Sequence, residues 1–321
     1  MTPDQARWFA ETFGSIVSNV ERAILGKTQA IRLTVTCMLA EGHLLLEDYP
    51  GTGKTSLARS IAQTVQGTHS RIQFTPDLLP SDVTGVTIYD QKTEEFEFHK
   101  GPIFASIVLA DEINRASPKT QSALLEVMEE ARVTVDGKPY AVGNPFMVIA
   151  TQNPVEQAGT YRLPEAQLDR FLMKTSLGYP DRENSMRILV SGGSRPTSAA
   201  LAPVITTQVV GEMSKLAAGV HIDNSVMDYI ARLLEETRST ADVRLGASIR
   251  GGLALVRASR VWAASHGRHF VVPDDIKMLA QPCLAHRLIL DPESEFNGIT
   301  NEEVMARVLG AVNPPTERAT A

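Results

Sequence analysis

Short apolar runs alternate with helical patterns of apolar residues up to about residue 180 of the chain. This alternation is typical of a parallel β-sheet with helices on both of its faces. The predicted strands are residues 43–47, 70–74, 106–111, 146–152 and 171–177. We therefore expect the first part of the chain to form an α/β core.

Two insertions in this core are predicted to form additional pairs of strands. In residues 83–99, two short apolar stretches flank a polar turn. In residues 132–142, Asp136-Gly137 separates two more such stretches. An Asp-Gly pair suits a type I′ turn because both central residues of that turn need positive φ. We expect the second insertion to be a projecting β-hairpin.

The later part of the chain shows helical spacing with little strand character. Residues 191–207 are rich in Gly, Ser, Ala, Thr and Pro, which is typical of a linker. The helices predicted beyond it are 208–218, 224–237, 248–265 and 273–285. We place a domain boundary near residues 181–200, with the core at 1–185 and a small helical domain at 186–321. We expect a loose tail at 313–321.

Length and composition favour a globular protein of two domains. The chain has 321 residues, 43% hydrophobic and 21% charged, and domains usually contain roughly 100–200 residues. No apolar run reaches the roughly 18 residues that a membrane span needs, so we expect no such span. Residues 1–13 lack the basic and apolar regions of a signal peptide, so we expect a cytoplasmic location.

Cysteine content excludes one class of metal or redox site, and the net charge counts against another class of partner. Cys37 and Cys283 are the two cysteines, and they are too far apart in sequence for a Cys-x-x-Cys metal or redox motif. We expect both to be buried as small hydrophobic residues. The net charge of −6 gives no overall electrostatic footprint for nucleic acid, which counts against DNA or RNA as a partner.

A glycine-rich loop between the first predicted strand and a helix has the context of a P-loop, or Walker A motif. Gly51 and Gly53 let backbone N–H groups turn towards an anion, Lys54 reaches the β- and γ-phosphates of ATP, and Thr55 offers a hydroxyl to Mg²⁺. The predicted cofactor-binding residues of the loop are Pro50, Gly51, Thr52, Gly53, Lys54, Thr55 and Ser56. The strict motif has glycine where this chain has Asp48, a difference that we expect to affect local geometry more than phosphate binding.

Two adjacent acids, Asp111 and Glu112, end the third predicted strand. Because successive side chains of a strand point to opposite faces, the two acids can take different roles. We predict that Asp111 supports Mg²⁺ and that Glu112 orients and deprotonates the attacking water. On its own such a pair could be a helix N-cap, but the preceding phosphate loop favours a catalytic site.

These motifs resemble those of the AAA+ superfamily, and one stretch resembles the MoxR family in particular. That stretch is Asp111-Glu112-Ile113-Asn114-Arg115-Ala116, followed by Lys119-Thr120-Gln121 and Leu124-Leu125-Glu126. The resemblance implies a P-loop NTPase αβα core with a five-stranded parallel sheet, followed by a small all-helical lid. It also implies a ring, usually a hexamer, with ATP between subunits. The two insertions resemble the helix-2 insert and the pre-sensor-1 hairpin of the same branch.

The resemblance extends to four residues outside the two motifs. Asn153 corresponds to the polar sensor-1 residue, Arg170 to the arginine finger supplied to a neighbouring subunit, and Arg250 to the sensor-2 arginine, while Gly26 would border the adenine. Simpler interpretations stay open for three of them. Arg170 could form a structural ion pair with a nearby acid, and Arg250 could lie on a solvated helix face. Gly26 could merely interrupt a helix.

A MoxR-like protein is expected to use ATP and Mg²⁺ to remodel or mature partner protein complexes, commonly beside a protein with a von Willebrand factor A domain. The sequence identifies no client. One alternative is a DNA-translocating motor, because related rings place basic residues on the hairpin, where this chain has Arg132 and Lys138 but also Asp136. A second alternative is a non-hydrolysing switch or scaffold. The presence of Glu112 counts against it, because such a protein needs no general base.

Overall fold

The computed structural model describes residues 1–153, 161, 163–190 and 201–315. The chain divides into two compact units. The sheet unit comprises Ser15–Phe171 and Thr175–Gly211, and the helical unit comprises Met1–Gly14, Leu172–Lys174 and Glu212–Ala321. The boundary between residues 185 and 186 stays a prediction. Much of the predicted linker, at 191–200, and most of the predicted tail, at 316–321, lie outside the described residues.

A five-stranded sheet forms the centre of the fold. Its strands are β1 (Leu44–Glu47), β2 (His69–Gln73), β5 (Ile107–Asp111), β8 (Met147–Gln152) and β9 (Met173–Thr175), in the order β2-β5-β8-β1-β9. Neighbouring strands pair in parallel from β2 through β5 and β8 to β1. All five predicted strands are confirmed. Every residue of β5 is buried, as expected for a central strand covered on both faces.

Two antiparallel hairpins are inserted at the predicted positions. They are β3 (Gly85–Asp90) with β4 (Glu95–Lys100), and β6 (Arg132–Val135) with β7 (Lys138–Ala141). Asp136 and Gly137 have φ values of 49° and 74°, which confirms the turn with two positive-φ residues. The hairpins touch each other, since the Thr87 hydroxyl donates to the Asp136 carboxylate at 2.6 Å.

The helices confirm the predicted lid and add elements that the sequence pattern did not indicate. In chain order they are α1 (Pro3–Glu21), α2 (Thr28–Leu39), α3 (Lys54–Thr64), α4 (Pro80–Thr84), α5 (Pro118–Glu130), α6 (Glu165–Leu168), α7 (Arg182–Val190), α8 (Thr207–Ala218), α9 (Asn224–Ser239), α10 (Ile249–Ser265), α11 (Pro273–Leu284), α12 (Pro292–Phe296) and α13 (Asn301–Ala311). None of the helices in the described residues has both the length and the apolar character needed to cross a membrane.

Helix α9 shows why the spacing of apolar residues predicted helices in the helical unit. Its residues Val226, Tyr229, Ile230, Leu233 and Leu234 are buried, at the three- and four-residue spacing of one helix face. The unit also contains a short antiparallel pair, β10 (Val243–Leu245) with β11 (Ile289–Leu290). These two strands contain three and two residues and lie among helical patterns, so the sequence did not indicate them.

Both cysteines are buried, as predicted. Burial raises the pKa of the Cys283 thiol to about 12, which keeps it protonated and unreactive at neutral pH.

Candidate nucleotide-binding site

The loop between β1 and α3 has the backbone that an anion site requires. Gly51 and Gly53 have φ values of 81° and 97°, in the left-handed region that glycine adopts without strain. A Cβ at either position would meet no atom within 4 Å, so the space beside the loop is open. Gly53 is the N-cap of α3 and provides no side-chain hydrogen bond to it. The first N–H groups of α3 therefore have no capping side chain and can bind an anion.

Lys54 and the residues around it complete this loop. The Lys54 ammonium donates to the carbonyl oxygens of Asp48 and Tyr49 at 3.1 and 3.0 Å. It therefore lies across the loop rather than extending into solvent. Thr55 is partly buried and Ser56 exposed in the first turn of α3, while Pro50 is exposed and Thr52 buried. The structure thus brings the predicted phosphate-loop residues together.

Asp48, which replaces the first glycine of the strict motif, has a structural role. Its residue exposure is 3%, and its two carboxylate oxygens accept the backbone N–H groups of Leu177 and Gly178 at 2.6 and 2.8 Å. Hydrogen bonds from two amides stabilise a buried carboxylate. Tyr49 also stacks on Tyr179, with ring centroids 5.9 Å apart. The substitution thus links the phosphate loop to the segment after β9.

Gly26 lies near the same segment, between α1 and α2. Its φ is 69°, and a Cβ would lie 2.3 Å from Nδ2 of Asn184 on α7. The positive φ favours glycine at this position, and the Asn184 side chain would have to shift to admit a Cβ. The neighbouring Lys27 ammonium donates to the Tyr179 carbonyl at 2.7 Å. The helix interruption is thus present, and Gly26 also lies close to the segment that Asp48 links to the phosphate loop.

The acid pair lies at the end of β5 and is tied to β8. Thr151 is fully buried, and its hydroxyl donates to Oδ1 of Asp111 at 2.6 Å while accepting the Glu112 N–H at 2.8 Å. Glu112 has a φ of 56°, a left-handed conformation that non-glycine residues seldom adopt. One buried hydroxyl therefore positions the Asp111 carboxylate and also fixes the Glu112 backbone.

Both acidic side chains also have partners on the solvent side. Oε2 of Glu112 accepts a hydrogen bond from the Gln73 amide at 2.9 Å and from the Arg115 guanidinium at 3.1 Å. Oδ2 of Asp111 forms an ion pair with Arg71 at 2.6 Å. No sequence motif marks Arg71, Gln73 or Thr151 as site residues. They are polar residues at or near the carboxyl ends of β2 and β8, the strands beside β5, and this placement depends on the strand order.

The three remaining predicted residues, Asn153, Arg170 and Arg250, lie in different parts of the structure. Asn153 directly follows β8 and is partly buried, at the same sheet edge as the acid pair. Arg170 pairs with Glu129 of α5 at 3.1 Å, which is the contact that a structural role would make. Arg250 is exposed in the first turn of α10, whose start is capped by the Ser248 hydroxyl. It belongs to the helical unit.

Replacing Thr151 by valine is expected to lower the free energy of unfolding by about 1–3 kcal/mol, because a buried N–H and a carboxylate oxygen lose their partner. Valine keeps the size and shape of threonine, so little packing is lost. Chemical denaturation measures the change. Thr151→Ser is the matched control, since it keeps the hydroxyl and loses a methyl group. If the valine variant is as stable as wild type, the hydroxyl bonds contribute nothing.

The donor set of the site fits Mg²⁺. The Thr55 hydroxyl and the Asp111 carboxylate are oxygen donors, and Mg²⁺ is usually bound by one or two such side chains together with phosphate oxygens. In the part of the chain that the structure describes, no group of three or more His, Cys, Asp or Glu could hold a metal ion by itself.

Comparisons with known proteins agree with this geometry. Residues 43–173 match the ATPase family associated with various cellular activities (AAA), and residues 235–308 match the AAA lid domain. The chain is 48% identical to the uncharacterized protein YeaC of Bacillus subtilis, over 95% of this chain and 96% of that protein. It is 40% identical to the chaperone MoxR1 of Mycobacterium tuberculosis, over 96% of this chain and 84% of that protein.

A solved structure resembles the whole chain. The crystal structure of a proposed ATPase from Cytophaga hutchinsonii has a TM-score of 0.91 and 37% sequence identity, and the match covers 98% of both chains. The matched lid region, residues 235–308, falls within the helical unit. With a five-stranded sheet, a P-loop backbone and relatives named MoxR along almost its full length, the chain belongs to the MoxR family of AAA+ ATPases.

Proposed function

We propose that this protein binds ATP with Mg²⁺ and hydrolyses it to drive conformational changes in a partner protein complex. The observation that carries the proposal is the placement of the open phosphate loop and the acid pair at one edge of the sheet. The loop follows β1 and the acids end β5, on either side of β8. Because the carboxyl ends of parallel strands lie at the same edge, one triphosphate could contact both.

The phosphates and the metal would be held by few groups. The N–H groups of the loop and of α3, together with Lys54, would bind the phosphates. The Thr55 hydroxyl and Asp111 would hold Mg²⁺, which neutralises negative charge on the phosphates when bound. Gly26 would lie beside the adenine, near the segment after β9, and Arg250 would contact the nucleotide from the lid.

Glu112 would take a proton from the attacking water, which Asn153 would help to position. In this structure Gln73 and Arg115 both donate to the carboxylate oxygen Oε2 of Glu112. Arg170 would break its ion pair with Glu129 and stabilise charge on the phosphates of ATP bound to a neighbouring subunit.

ATP binding and hydrolysis would drive a change of conformation. ATP would favour one arrangement of the protein and hydrolysis would release it, so a client must bind the two states with different affinity. One relative is named a chaperone, which supports remodelling of a partner complex. We further propose a homo-oligomeric ring, usually a hexamer in this family, that acts with a von Willebrand factor A domain protein.

The contacts of Arg132 on the hairpin count against a nucleic-acid client. Arg132 donates to Glu130 through two guanidinium nitrogens at 2.9 and 2.7 Å. Asp136 at the turn adds a negative charge near the same strands. A basic hairpin that binds a phosphate backbone would instead present unneutralised positive charge.

Replacing Lys54 by alanine is expected to weaken ATP binding by about tenfold or more, because the contact with the phosphates loses its ammonium group. Isothermal titration calorimetry of Mg²⁺-ATP measures the affinity. Lys92→Ala is the matched control, because Lys92 is exposed in the turn between β3 and β4. ATP affinity equal to wild type in a folded Lys54→Ala variant would remove the phosphate loop from the proposal.

A further inference from the structure

Arg71 contacts the carboxylate that is proposed to hold the metal. It lies on β2, which pairs in parallel with β5 and places Gln73 opposite Asp111. Its Nη2 nitrogen donates to Oδ2 of Asp111 at 2.6 Å and to the side-chain oxygen of Gln73 at 2.9 Å. The guanidinium is therefore held in place by two acceptors and rests directly against the carboxylate.

The two oxygens of Asp111 have partners of different kinds. Oδ1 is held from the interior by the buried Thr151 hydroxyl. Oδ2 is held by Arg71, whose side chain is 48% exposed while that of Asp111 is 11% exposed. Arg71 therefore reaches Asp111 from the solvent side. A cation that binds Asp111 must approach from the same side, because Thr151 occupies the other.

We propose that Arg71 and the divalent cation compete for Asp111, so that Arg71 is a positioning residue that sets the metal concentration at which the site fills. This inference rests on the proposed Mg²⁺-ATP site. A guanidinium and a divalent cation at one oxygen would repel each other. Arg71 holds Asp111 in place before the metal arrives and withdraws when it binds.

The exposure of Arg71 makes this exchange feasible. An ion pair whose arginine is half exposed contributes little net stability, because water screens the charges and can solvate the released guanidinium. The charge of Arg71 nevertheless affects neighbouring groups. Burial lowers the pKa of His69, and the charges of Arg59 and Arg71 lower it further. Arg59 is exposed on α3 and supplies a matched charge in the same region.

The test is a titration of Mn²⁺, which replaces Mg²⁺, into the full-length protein bound to a non-hydrolysable ATP analogue. Free Mn²⁺ is followed by electron paramagnetic resonance. Arg71→Gln is expected to lower the Mn²⁺ dissociation constant by about threefold to fivefold, the upper part of the range that one screened charge pair supports. Arg71→Lys keeps the charge and should stay within about twofold of wild type. Arg59→Gln, the matched loss of charge, should do the same.

Unchanged or weaker Mn²⁺ binding in Arg71→Gln, with ATP-analogue affinity and melting temperature preserved, would overturn the competition. A second measurement uses the wild-type chain and does not depend on the variants folding. A crystal structure with ADP and Mn²⁺ should show Arg71 out of hydrogen-bonding distance of Asp111, and an intact pair beside a bound metal would also overturn it. Wild-type protein that binds neither nucleotide nor Mn²⁺ would instead refute the proposed function.

Discussion

Replacing Glu112 by glutamine is expected to lower ATP turnover by about a hundredfold or more while ATP affinity stays within a few-fold of wild type. Glutamine has nearly the same size as glutamate, and its oxygen can still accept the hydrogen bonds from Gln73 and Arg115. It cannot take a proton from water. A loss confined to turnover therefore separates the proposed proton acceptor from a residue that binds the nucleotide.

Phosphate release and calorimetry, measured on the same preparations, test this expectation. Glu95→Gln is the matched control, because Glu95 is exposed on β4 and loses the same charge. Wild-type turnover in Glu112→Gln, after contaminating ATPases have been excluded, would show that another group activates the water. A parallel loss of ATP affinity would assign Glu112 to binding.

Replacing Arg170 by alanine is expected to reduce turnover by about a thousandfold or more with ATP binding largely intact, because an arginine finger stabilises charge that develops in the transition state. The ion pair with Glu129 offers the competing explanation that Arg170 only supports α5. Glu129→Ala distinguishes the two, since it removes the partner of Arg170 and keeps the arginine itself. A structural role predicts that both variants lose turnover, and a catalytic role predicts that Glu129→Ala stays active.

Mixing variants tests whether Arg170 acts on a neighbouring subunit. Arg170→Ala and Glu112→Gln subunits are each expected to be nearly inactive. In mixed rings, some interfaces pair an intact Glu112 with an intact Arg170, so activity should rise above the sum of the separate preparations. Native mass spectrometry must confirm that mixed rings form. Mixed rings without recovered activity would leave Arg170 acting within its own subunit.

Much of the fold could be predicted because the pattern is local. Strands β1, β5 and β8 are apolar runs bounded by polar residues, and Asp136-Gly137 fixes a turn through the backbone preference of two residues. The pair β10–β11 was missed because its strands contain three and two residues. Pairing of such short strands depends on contacts between distant parts of the chain, which no local pattern reports.

The site also contains residues that a local motif indicates and residues that only the fold brings together. The phosphate loop and the acid pair are contiguous motifs, so their residues were identified from sequence. Arg71 and Gln73 became visible only when the strand order placed β2 beside β5. The role of Asp48 likewise depends on the amides of Leu177 and Gly178, which are distant in sequence. Residues that act through partners on other strands carry no mark of that role in the sequence.

Release of inorganic phosphate from ATP by the purified wild-type chain, followed with and without Mg²⁺, tests most directly whether this protein hydrolyses ATP. Lys54→Ala protein, purified in parallel, shows how much activity comes from contaminants. We expect phosphate release that requires Mg²⁺ and is lost in Lys54→Ala. Equal release by both proteins, or none by a wild-type chain shown to bind Mg²⁺-ATP, would contradict an ATPase and leave a nucleotide-binding switch.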